Sequence, residues 1–177
     1  MMRPGTKAPE LSIKTTDSET WDLQKTNPDK LSLVVFYRGM HCPVCKDYLQ
    51  DLNKLVDDYK AQGVSDIIAI SGDTKEKAEE VKKMWDLTNL YIWYDQNPKS
   101  MANWGLFISG SISDKEPKVF AEPGLFLIDK NKDLAYCATN SMPFARPKFN
   151  ELLDGIKYMN KNDYPPRGKM QYEQAVG

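Results

Sequence analysis

The stretch Leu31-Ser32-Leu33-Val34-Val35-Phe36-Tyr37-Arg38-Gly39-Met40-His41-Cys42-Pro43-Val44-Cys45 decides the reading of this chain. Leu31 to Tyr37 is an apolar run of strand length, the pattern of a strand covered on both faces. Two cysteines three apart follow it. Beyond them, apolar residues recur at Tyr48, Leu49, Leu52, Leu55, Val56 and Tyr59, a helical stripe that Gly63 ends. A Cys-x-x-Cys at a strand-to-helix junction suits thiol redox chemistry. Its sulfurs are close enough to bridge, and the first helical turn offers N–H groups and a positive dipole end that stabilise a thiolate.

Working outward, Ile67-Ile68-Ala69-Ile70 reads as the next buried strand, closing a right-handed βαβ unit with parallel strands. Asp73 with Glu76 resembles a capping box, and Ala78, Val81, Met84 and Trp85 supply the stripe of a second helix. Tyr91 to Tyr94 reads as a short strand. Asn97-Pro98 opens a short helix that Gly105 closes. Phe107 to Lys118 is polar and rich in Gly and Ser, and is read as a loop. Leu125 to Ile128 and Leu134 to Cys137 flank a turn and form a hairpin. A last helix is expected from Pro147, with Phe149, Leu152, Leu153, Ile156 and Met159 inward. Upstream, Leu11-Ser12-Ile13 and Trp21-Asp22-Leu23 pair as a lead-in. A parallel unit joined to an antiparallel hairpin unit is the thioredoxin arrangement. The expected class is therefore α/β: a thioredoxin-like fold with a central mixed β-sheet flanked by helices and an N-terminal strand extension. Cys42 falls just past the carboxyl end of a parallel strand, where open α/β sheets place their sites.

The 177 residues suffice for one domain, expected over 1–160, with a non-periodic tail at 161–177 that either wraps the surface or stays disordered. A net charge of −1 with 24 basic and 25 acidic residues interleaved gives no field for nucleic acid or an anionic membrane. No apolar run approaches the ~20 residues of a membrane span. Residues 1–7 lack a signal-peptide apolar core, so a cytoplasmic location is expected. Three cysteines are too few for a secreted disulfide scaffold. A metal site needs about four ligands, and only Cys137 and His41 remain beside the pair. Neither metal nor cofactor is expected, and Cys137 reads as a packed core thiol.

With these residues in view, the chain resembles the peroxiredoxin-like family named for alkyl hydroperoxide reductase and thiol-specific antioxidant (AhpC/TSA), from about Gly5 to Ile156. Gly5-Thr6-Lys7-Ala8-Pro9-Glu10-Leu11 is similar to the family's opening, and Leu33 to Cys45 to its active-site strand and loop. Ile70-Ser71-Gly72-Asp73, Asp95 and Ala102-Asn103-Trp104-Gly105 follow its middle. Pro123-Gly124-Leu125-Phe126-Leu127-Ile128-Asp129 resembles the proline and strand opposite the active site. The resemblance implies a thiol-dependent peroxidase cycling through a Cys42–Cys45 disulfide. It also implies a peroxide substrate and an external reductant, either a thioredoxin-like protein or a low-molecular-weight thiol. A homodimer is compatible with it; nucleic acid and membrane partners are not expected.

The resemblance also suggests roles. Arg146 lies after the hairpin, immediately before Pro147, a late position similar to that of the family's active-site arginine, which would stabilise a thiolate or the peroxide; a solvent-exposed arginine is the alternative. Arg38 and His41 lie beside the cysteines as sources of positive charge, with His41 favoured as a tuning residue. Pro123 precedes a buried strand, as does the cis-proline of thioredoxin folds, and a cis bond there would turn the Glu122 carbonyl toward the cysteines for substrate backbone to pair with; an ordinary trans proline before a strand is the alternative. The family usually has Thr-x-x-Cys. Aligning from Phe36-Tyr37 puts Cys45 at the peroxide-attacking position and Cys42 at the threonine position. Thioredoxins attack with the first cysteine, here Cys42. Helix-terminus physics favours Cys42 as well, as the residue nearer the free N–H groups and expected to be more exposed. Two other readings remain open: a thiol:disulfide exchange protein acting on protein partners, and a catalytically idle binding module of the same fold.

Overall fold

The computed structural model describes residues 2–16 and 20–176. Met1, at the head of the expected domain, and Gly177, at the end of the expected tail, lie outside them. A seven-stranded sheet is built from β1 (Ser12–Thr15), β2 (Thr20–Asp22), β3 (Leu31–Phe36), β4 (Val64–Ile70), β5 (Tyr91–Tyr94), β8 (Gly124–Asp129) and β9 (Leu134–Thr139), in the order β2-β1-β5-β4-β3-β8-β9. β3 pairs in parallel with β4 and antiparallel with β8, so the strand that carries the cysteine loop is central. β5 continues the parallel part, and β8 with β9 forms the antiparallel hairpin.

All six residues of β3 are buried because both sheet faces are covered. Leu33, Val35 and Tyr37 enter one apolar cluster with Leu49, Leu52, Val56 and Tyr59 of α1 (Pro43–Ala61), Val81 of α2 (Lys75–Met84) and Leu153 of α4 (Phe149–Asn162). Val34 and Phe36 enter the opposite cluster with the lead-in residues Leu11 and Leu23 and with Met101 and Trp104, the latter at the end of α3 (Pro98–Asn103). Trp104 is fully buried, its ring 5.2 Å from Phe36 and 4.9 Å from Phe126.

The structure corrects four local readings. Phe107–Lys118 is not simply a loop: β6 (Ile108–Gly110) pairs with β7 (Val119–Ala121) in a small separate sheet. These strands have three residues each, with burial patterns too short to show alternation: Phe120 and Ala121 of β7 are buried, while Ile108 and Val119 are exposed. Thr74, not Asp73, caps α2, accepting from the Lys77 N–H, while Asp73 turns inward. α4 starts at Phe149 rather than Pro147, because the Pro147 carbonyl is taken by the Tyr48 hydroxyl. No cis peptide occurs among the described residues, so the Glu122–Pro123 bond is trans. Pro123 stands just before β8, where a trans proline forfeits no ladder bond. After α4 the chain runs back over its start, with the Lys169 side chain over Gly5, and forms a short helix α5 (Tyr172–Val176). No helix among the described residues is long and apolar enough to cross a membrane.

Candidate active site

The loop between β3 and α1 is shaped by Gly39 and Asp73. Gly39 has φ +122°, a conformation side chains rarely adopt, and a Cβ there would meet both Asp73 carboxylate oxygens at 2.9 Å. The Asp73 carboxylate, 4% exposed, accepts the Met40 N–H at 2.7 Å. The Cys42 N–H then donates to the Gly39 carbonyl at 3.1 Å, turning the chain into α1. Cys42 is the N-cap residue, Pro43 follows it, and Cys45 donates its N–H to the Cys42 carbonyl. Cys42 and Cys45 are bridged, with Cα atoms 5.3 Å apart, a separation ordinary for a disulfide. Cys137 is a free, half-buried thiol whose pKa burial raises. It points at the Met2 carbonyl, 3.6 Å away.

The expected exposure difference is absent: Cys42 is 1% and Cys45 0% exposed. Both cysteines enter the apolar cluster beneath α1, with Met40 and Val44 packed against it. What distinguishes the sulfurs is Arg146. Its Nη1 lies 3.8 Å from Cys45 Sγ, its Nη2 donates to the Val44 carbonyl at 2.8 Å, and its guanidinium sits 3.8 Å over the Tyr48 ring. The solvent-exposed alternative for this residue does not hold. Burial draws its pKa down, yet a guanidinium stays charged in proteins. A cavity of about 540 Å³, lined by Val44, Tyr48, Phe144, Arg146 and Phe149 among others, opens beside it.

The structure gathers the other expected site residues into a second cluster. Arg38 is committed to carboxylates: its Nε lies 3.4 Å from Glu122 and its Nη2 3.4 Å from Glu116. Its guanidinium stands 4.7 Å over the Phe120 ring. His41 packs its ring edge-on to the same Phe120 at 4.7 Å. Glu122 is buried and takes the Ser109 hydroxyl at 2.7 Å, so its side chain, not a turned carbonyl, is its visible contribution. Pro123 is buried, and its carbonyl accepts the Asn140 N–H. The next residue, Gly124, pairs with Phe36, which sets Pro123 at the end of the strand carrying the cysteine loop. Asp73, Tyr48, Glu116 and Phe120 were missed as site residues. Tyr48 had a signal, three positions beyond Cys45 on one helix face. Asp73 had one too, just past the carboxyl end of a parallel strand. Glu116 and Phe120 had none. Among the described residues, no group of three or more His, Cys, Asp or Glu could hold a metal ion.

His41 is the chain's single histidine. Burial first, then Arg38, pushes its pKa below the ordinary value, with Asp73 and Glu116 opposing. Below pH ~6.5 the unfolded chain therefore takes up a proton that the folded chain resists, so this group costs stability as pH falls through that value. Urea unfolding across this range is expected to show a pH slope that His41→Gln flattens. An unchanged slope would remove the desolvated histidine from the account.

The AhpC/TSA family profile matches residues 4–137, a span that stops short of Arg146. The fold is similar to that of peroxidoxin BcpB of Mycobacterium tuberculosis, with a TM-score of 0.73 and 14% identity, covering 90% of this chain and 99% of that one. It is similar to the reduced 2-Cys peroxiredoxin of Plasmodium vivax, with a TM-score of 0.72 and 19% identity over 97% and 90%. A peroxiredoxin 6 variant of Arenicola marina gives 0.74 and 18% over 99% and 88%. At these identities the likeness is one of fold. A match of 85 aligned positions, covering 45% of this chain, is also 32% identical to the cytoplasmic leucine–tRNA ligase of Pongo abelii, of which it spans 7%. A share that small does not bring that enzyme's activity here.

Proposed function

Because the chain belongs to the AhpC/TSA family, we propose that it is a thiol peroxidase in which Cys45 attacks the peroxide and Cys42 resolves the product. The observation that carries the assignment is the Arg146 guanidinium on the Cys45 sulfur. A fixed cation there favours the thiolate over the thiol and faces the charge that develops on a departing oxygen.

The Cys45 thiolate attacks the terminal peroxide oxygen. The O–O bond breaks, Cys45 becomes a sulfenic acid, and the departing alkoxide or hydroxide takes a proton. Cys42 then attacks the Cys45 sulfur, water leaves, and the disulfide forms. An external dithiol, or two monothiols, returns the two electrons through a mixed disulfide. Hydrogen peroxide and organic hydroperoxides both fit this chemistry, and the cavity beside Arg146 has room for an organic tail. The reductant is a thioredoxin-like protein or a small thiol, in a cytoplasmic setting.

Stopped-flow mixing of reduced protein with hydrogen peroxide or cumene hydroperoxide tests this. A bimolecular reaction far faster than that of free cysteine, ending in one Cys42–Cys45 disulfide, is expected. A peroxide rate no better than free cysteine, with rapid oxidation by a protein disulfide, would assign disulfide exchange instead.

A further inference from the structure

Arg146 reaches Cys45 from 101 residues away in sequence, and its placement needs a cause. The chain around it is irregular. Ala145, just before it, has φ +54°, a left-handed conformation that costs energy for a residue with a side chain. Asn140 steadies that turn by donating to the Ala145 carbonyl at 3.0 Å. On the other side of Arg146 one residue makes most of the contacts. The Tyr48 hydroxyl donates to the Pro147 carbonyl at 2.6 Å, and its ring stacks on Phe149 at 4.2 Å. The face of the ring carries the Arg146 guanidinium, 3.8 Å from its centroid.

We infer that Tyr48 is the positioning residue for Arg146, holding its guanidinium against the Cys45 sulfur. Tyr48 lies three residues after Cys45, on the same face of α1, so one rigid helix supplies both the sulfur and the platform that aims the cation. The guanidinium then has three directions fixed: its plane on Tyr48, Nη2 on the Val44 carbonyl, and Nη1 on the sulfur. The first two orient it, and the third carries the chemistry. Burial raises the Tyr48 pKa well above that of a free phenol, so its hydroxyl remains a donor to Pro147 at every working pH. The inference rests on the reading of Cys45 as the nucleophile assisted by Arg146.

The test is site-resolved alkylation of the reduced full chain by iodoacetamide across pH. Cys42 and Cys45 are scored separately by mass spectrometry, and a thermal melt is run on each variant. Tyr48→Leu removes the platform and the hydroxyl, Tyr48→Phe only the hydroxyl, and Arg146→Met the cation. Alkylation of Cys45 at neutral pH is expected to slow about tenfold in Tyr48→Leu and about two- to threefold in Tyr48→Phe, with Cys42 unmoved. The double variant Tyr48→Leu with Arg146→Met is expected to be no slower than Arg146→Met alone, because both act through one group. An Arg146→Met protein with an unaltered Cys45 profile would overturn the nucleophile reading itself. A shift in Arg146→Met with none in Tyr48→Leu, or losses that simply add, would overturn the role of Tyr48 alone. If Tyr48→Leu does not fold, Tyr48→Phe carries the same comparison through the loss of the Pro147 bond.

Discussion

Cys45→Ser is expected to abolish peroxide consumption, a loss of at least about 10⁴-fold, as when an enzyme loses its nucleophile. Cys42→Ser is expected to keep the first attack within about threefold and stall at a sulfenic acid on Cys45, since the resolving thiol is gone. Stopped-flow kinetics with dimedone trapping reads both. The expectation follows from electrostatics. A thiol with an ordinary pKa of ~8.5 is mostly protonated at neutral pH, and only the thiolate attacks. Arg146 lies on Cys45. At the first position the backbone helps little: Pro43 has no N–H, the Cys45 N–H is spent on the Cys42 carbonyl, and the Cys42 side chain makes no capping bond. The argument for Cys42 from exposure does not survive either, with both residues buried. Sulfenic acid confined to Cys42, with Cys45→Ser still reacting at the native rate, would reverse the assignment.

The difference between the two cysteines separates what was legible in the sequence from what was not. The strand, the cysteine pair and the helix were legible because each is written locally. β3 is an unbroken apolar run, and α1 repeats its buried positions at helical spacing through Cys45, Leu49, Leu52, Val56 and Tyr59. The parallel pairing of β3 with β4 and the β8–β9 hairpin follow from element order and short connections. The disulfide followed from the spacing. The placement of Arg146 had no local signature. A position just before Pro147 read equally well as a solvated arginine, and the contacts that hold it beside the sulfur, from Tyr48 and the Val44 carbonyl, lie about a hundred residues away in sequence. The burial of Cys42 was hidden for the same reason, since the core cluster it joins is completed by residues far along the chain such as Ile67, Val81, Leu125 and Phe149. Arg38 is the converse case. Its nearness to the cysteines in sequence suggested a substrate group, but Glu116 and Glu122, 78 and 84 positions further on, hold it.

Arg146→Met is expected to slow reaction with hydrogen peroxide by about 10- to 100-fold while the fold is retained, since a hydrogen bond to a charged group contributes ~1.5–3 kcal/mol. The side chain is partly buried among Tyr48 and Val44, where its charge is less screened than at the surface. Methionine preserves much of the packing volume, so the loss reports the charge. The pH profile moves with it. Without the cation the Cys45 thiol ionises at higher pH, so the peroxide rate of the variant climbs toward the native rate as pH rises. Arg146→Lys is expected to restore only part of the rate. An ammonium has one point of charge and no plane, so it cannot lie on the Tyr48 face, bond the Val44 carbonyl and reach the Cys45 sulfur at once. Rates measured from about pH 5 to 9 on the reduced variants, with circular dichroism as the check on folding, distinguish the cases. A native rate and profile in Arg146→Met would reduce this arginine to a packing residue, and full recovery in Arg146→Lys would show that charge without geometry is enough.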